Sequence, residues 1–108
     1  MPKGLRITVP IGSDQGTFTN VFVRLNNCRI YPSGQAIDAQ AFAYKDETTF
    51  DTNPSDTLVI SWIPSTMNNP GFTISDLNNR ADVATFLYQK LLNKLENKTG
   101  AGTVVIVP

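Results

Sequence analysis

The chain has 108 residues, nine basic against nine acidic, 17% of them charged, one cysteine and no histidine. Balanced charge argues against a general polyanion binder. The missing histidine excludes imidazole acid–base catalysis, Ser-His-Asp chemistry and the commonest zinc sites, and a lone Cys28 excludes an internal disulfide framework. No apolar run approaches the roughly 20 residues that span a bilayer.

Ten asparagines and twelve threonines suit turns, sheet surfaces and hydrogen-bonded contacts better than solvated charged faces. The length predicts a single domain over 1–108. Met1-Pro2-Lys3-Gly4 leads straight into strand-like sequence without a signal peptide's apolar segment, so cytosolic synthesis is expected.

Leu5-Arg6-Ile7-Thr8-Val9 alternates as a first strand that Pro10 stops. Ile11 to Thr17 reads as a polar loop. Phe18 to Tyr31 reads as one long extended segment of up to roughly 45 Å. The turn formers Pro32 and Gly34 then return the chain into "AIDAQAFAYKD", Ala36 to Asp46. There Ala39, Ala41 and Ala43 take one face and Gln40, Phe42 and Tyr44 the other.

The predicted hairpin register sets Tyr31 opposite Ala36, Ile30 opposite Ile37 and Cys28 opposite Ala39. A β-bulge at Asn26-Asn27 then brings Leu25 to Ala41 and Val23 to Ala43. One face pairs large with small residues and reads as a seat for a helix carrying Leu87, Leu91 and Leu92. The other gathers Arg29 with Asp38, Arg24 with Phe42, and Phe22 with Tyr44. Such an aromatic face is covered either by more of the same chain or by a partner.

Asp46 to Asp56 reads as a second polar loop. Its carboxylates, Asp46, Glu47, Asp51 and Asp56, lack the ordered spacing of a calcium loop and read as a solvated surface. Thr57 to Ile63 reads as a strand with Leu58, Ile60 and Trp62 on one face, and Ser65 to Ile74 as a third loop. The strongest element is a helix whose stripe runs Leu77, Ala81, Ala84, Tyr88, Leu91 and Leu95, capped by Ser75 or Asn79 and closed by Gly100. Thr103 to Val107 is a final apolar strand, suited to a sheet centre or to capping an edge in this chain or a neighbouring subunit. The expected fold is α+β: a mostly antiparallel, sandwich-like sheet with a long hairpin, and one long helix on one sheet face.

No catalytic residues, cofactor site or metal site emerge. The candidate partner surface is Phe22, Arg24, Arg29, Phe42, Tyr44, Met67 and Phe72. Rings beside Arg24, Arg29 and Lys45 also fit a platform for single-stranded nucleic acid, where bases stack on rings and guanidinium groups meet phosphates. The order of "TFTNVFVRLNNCRIY", "AIDAQAFAYKDET" and the late helix "NRADVATFLYQKLLNKLE" resembles small virion proteins of tailed bacteriophages, from the neck, tail and baseplate. RNA-phage coat proteins also combine hairpins with late helices but generally end in two helices. The resemblance implies a non-enzymatic subunit of a symmetric assembly. Its partners would be copies of itself and other virion proteins, with no membrane involved. It would be made in the host cytoplasm and then built into the particle.

Overall fold

The computed structural model describes residues 2–31, 36–63, 66–68 and 83–108, and side chains at 27–38, 66–68, 83, 84 and 86 lie outside that description. Among the described residues the elements are, in chain order, β1 (Gly4–Ile7), β2 (Ile11–Ser13), β3 (Gly16–Phe18), β4 (Val21–Tyr31), β5 (Ala36–Tyr44), α1 (Glu47–Thr52), β6 (Thr66–Asn68), α2 (Val83–Thr99) and β7 (Val104–Val107). The architecture is α+β. A five-stranded antiparallel sheet in the order β6-β5-β4-β1-β7 is joined by a two-stranded β2–β3 hairpin and one long helix in the C-terminal half.

The hairpin register holds nearly residue for residue. Phe22 faces Tyr44, Val23 faces Ala43, Arg24 faces Phe42, Leu25 faces Ala41, Arg29 faces Asp38 and Tyr31 faces Ala36. The irregularity falls between Asn26 and Arg29, because Asn26 still pairs with Gln40. Asn27 and Cys28 together therefore oppose Ala39, one residue further along than the sequence suggests. Alternation fixes the register because a slip by one would exchange both faces.

The remaining polar stretches carry more structure than their composition implies. The supposed loop after Pro10 is the β2–β3 hairpin: Ser13 pairs with Gly16, whose φ of 119° needs no Cβ. Asn20, at φ 66°, ends the extended run before β4 begins, a conformation its short polar side chain tolerates. Asp46 to Asp56 contains α1. Asp46 caps it by accepting from the Thr49 amide at 2.7 Å and the Thr49 hydroxyl at 2.8 Å. Residues 66–68, expected as loop, pair with Asp38 to Gln40 as β6.

Thr57 to Ile63 is not a strand. Its ladder is a single bridge, with the Leu58 amide donating to the Ala43 carbonyl at 2.7 Å. The other side is held by the small hairpin, where Val59 N–H donates to Asp14 Oδ1 at 2.9 Å. The segment then turns, Ile63 N–H reaching the Ile60 carbonyl at 3.1 Å. Alternation survives as burial, Leu58 and Ile60 inside and Val59 outside.

Within α2, Leu87, Tyr88, Leu91 and Leu95 are buried, each leucine contributing about 1.5–3 kcal/mol. Leu77, Ala81 and both proposed caps lie outside the described residues. Gly100, at φ 108°, closes the helix by donating to the Glu96 carbonyl at 2.8 Å. The helix lies chiefly over β7, β1 and β4. Leu58, Ile60 and Ile63 border Ala41 and Ala43. The alanines thus make room for an irregular crossing segment within the core they share with the helix.

Candidate interaction surfaces

The sheet face away from α2 carries the row Val105, Arg6, Phe22 and Tyr44, set side by side by the β7, β1, β4 and β5 registers. At Phe22 and Tyr44 this face is covered within the chain, while Val105 at its edge stays exposed. Phe22 is 0% and Tyr44 2% exposed, forming a second small core with Val107 against which Phe42 and Phe50 pack. The cover is α1. Its Phe50 ring lies 5.6 Å from Phe22 and 5.3 Å, edge-on, from Tyr44. Arg24 stacks 4.6 Å from the Phe50 centroid and donates through Nη1 to the Lys3 carbonyl at 3.1 Å.

Around this cover sits an ion cluster. Lys3 Nζ lies 2.8 Å from Glu47 Oε2 and 2.8 Å from Asp51 Oδ1, and Arg6 Nη2 lies 3.3 Å from Glu47 Oε1. The hydrogen bonds that Lys3 donates to Asp51 and Glu47 hold its ammonium above its usual pKa, and the bond from Lys3 holds Glu47 below its own. The Thr49 bonds lower Asp46, and burial pushes Tyr44 up. Tyr44 donates its hydroxyl proton to the Pro54 carbonyl at 2.9 Å. Three of the four loop carboxylates are thus engaged as a helix cap or in ion pairs, and the described residues contain no metal-ligating cluster.

Of the candidate surface residues, Phe22 and Tyr44 are buried and Arg24 and Phe42 half-buried. Phe22 and Tyr44, expected on a partner surface, are instead covered by Phe50 of the same chain. Arg29 and Met67 are placed by backbone register, opposite Asp38 and Ala39, with their side chains outside the description. Phe72 lies outside the described residues. The residue missed in the sequence is Phe50. Its signal was being a lone ring among threonines and carboxylates, a poor candidate for a solvated loop.

A shallow, mostly apolar pocket of about 330 Å³ opens between β5 and the crossing segment, lined by Ala41, Ala43, Leu58, Ile60 and Ile63 among others, and among the described residues no titratable side chain lines it. No described helix is long and apolar enough to cross a membrane. No family model matches the chain, and neither a curated protein nor a solved structure is significantly similar to it.

Proposed function

We propose that this chain is a non-enzymatic structural subunit of a symmetric assembly that acts through protein–protein contacts. In its specific form it is a virion component of a tailed bacteriophage, made in the host cytoplasm and then built into the particle. The observation that carries this reading is the β4–β5 arm. β1 pairs with β4 only from Val21 to Val23, while the β4–β5 ladder runs on to Tyr31 and Ala36. From Leu25 to Tyr31 the arm outruns β1 by about 20 Å at ~3.4 Å per residue. It lengthens a molecule measuring 41 × 29 × 25 Å. Among the described residues no strand covers the outer edge of β4 beyond Leu25, which leaves a neighbouring chain a strand edge to pair with.

Two further features favour contact over chemistry. The carboxylates beside the aromatic face are engaged as a cap or in ion pairs, and the pocket is mostly apolar. A platform for single-stranded nucleic acid is the weaker alternative, because Phe22 and Tyr44 lie beneath Phe50 and offer bases no face to stack on.

Light scattering of the purified chain at low and high salt tests the reading. A defined oligomer that persists at high salt is expected, and a monomer under both conditions overturns it. Titration with a single-stranded oligonucleotide separates the alternative, whose binding would weaken steeply as salt rises.

A further inference from the structure

We propose that the outer edge of β7 is a self-pairing contact, through which two copies join their sheets antiparallel across a two-fold axis. The proposal rests on the self-assembly reading and names one contact within it.

Among the described residues no strand lies beyond β7. Its inner side is fixed by Thr8 N–H donating to the Thr103 carbonyl and Lys3 N–H to the Val107 carbonyl, both at 2.8 Å. Residues 103, 105 and 107 therefore turn their backbone groups towards β1. By alternation Val104 and Ile106 turn theirs outward. The edge presents two N–H and two C=O groups on an uncharged Val-Val-Ile-Val run, without the lysine or inward charge that usually protects such an edge.

The occupant that fits is the same edge of a second copy. Setting Val104 of one copy opposite Ile106 of the other satisfies every outward group of both in four hydrogen bonds. The neighbouring registers do worse. One brings Val104 against Pro108, which has no N–H, and the other brings Ile106 against Gly102, bent out of the extended conformation at φ 80°. The favoured register also places the two Val105 side chains against each other on the axis, as a non-hydrogen-bonded pair. Val105 is 42% exposed and, with Val59 at 66%, is one of two large apolar side chains left exposed among the described residues. Pairing covers it. A four-residue edge buries little area, so the contact is weak and concentration-dependent alone.

Cysteine placement tests this in the full chain with Cys28→Ser as background. At a non-hydrogen-bonded antiparallel pair the Cα atoms sit about 4.5 Å apart, within disulfide reach. Val105→Cys is expected to form a covalent dimer under mild oxidation about tenfold faster than Val59→Cys, which serves as the exposed control. Val105→Lys, which sets two like charges face to face, is expected to lower the solution mass. If the wild type associates but Val105→Cys cross-links no faster than Val59→Cys, and Val105→Lys keeps the wild-type mass, the edge contact is wrong and the assembly reading survives. If the wild type is monomeric at every concentration and Val105→Cys stays monomeric, both fall. Should Val105→Lys fail to fold, the paired cysteine rates decide alone.

Discussion

Gly4 and Tyr88 show how much can hang on single atoms here. Gly4 lies on β1 beneath the Phe22 ring; a Cβ there would overlap the ring and sit 2.8 Å from the Val23 carbonyl oxygen. Phe22 is wholly buried under Phe50 and has nowhere to retreat. Gly4→Ala is therefore expected to cost about 1–3 kcal/mol by overpacking, read as a lowered urea midpoint. An unchanged midpoint would mean that the ring moves freely. Tyr88 does the opposite job, filling a gap. Where β1 runs out, its hydroxyl accepts from the Leu25 amide at 2.8 Å and donates to the Lys3 carbonyl at 3.4 Å, standing in for a ladder bond. Tyr88→Phe leaves a buried N–H unpaired and should cost about 1–3 kcal/mol. Tyr44→Phe gives up only a part-buried bond to Pro54 and should cost less. Equal losses for the two variants, measured by denaturant unfolding, would contradict the ladder role.

At the scale of elements, α1 is the informative one: six residues too short to be stable alone, held by a cap below and a ring above. Its ion pairs are partly exposed and contribute little. The Phe50 ring supplies the hold, and Phe50→Ala should cost about 2–3 kcal/mol, below the value for a fully buried phenylalanine. The cap adds a pH signature. Thr49 lowers the folded pKa of Asp46 below its ordinary 3.8. Its contribution is therefore full above that value and is lost as pH falls through the folded pKa. Asp46→Ala should cost about 1 kcal/mol at neutral pH. Asp46→Asn should retain the cap and flatten the acid limb of stability against pH, and an acid limb as steep as wild type would remove Asp46 from that role. The sequence already contained the β4–β5 register and the leucine face of α2, because alternation and the 3.6-residue period leave one solution each. α1 was hidden because polar residues dominate its surface and its single apolar contact, Phe50, gives no period. The Thr57–Ile63 segment alternates like a strand, yet its neighbours on either side are a single β5 bridge and a hairpin loop. Burial dictated its pattern, and pairing did not. The aromatic face was legible as a face, but its cover lay in a loop that composition assigned to solvent.

For the whole molecule, the sheet has apolar cover on both sides: α2 with the crossing segment on one, α1 on the other. β1 and β4 carry both faces, since Leu5, Ile7, Val21 and Val23 point to the first while Gly4 and Phe22 serve the second. Neither cover can be lost without loosening strands the other depends on, so unfolding is expected to be one cooperative transition. Trp62 offers the test, because it packs against the helix-side core, remote from Phe50. In urea, its fluorescence and the far-ultraviolet circular dichroism should share one midpoint. Phe50→Ala should shift both midpoints equally, although it removes a ring from the opposite side of the sheet. A two-step transition, or a Trp62 midpoint that ignores Phe50→Ala, would mean that the two layers melt separately and that α1 is a detachable cover. In that case Phe22 and Tyr44 would become accessible under mild denaturation, and the nucleic-acid alternative would recover the stacking face that the folded chain withholds.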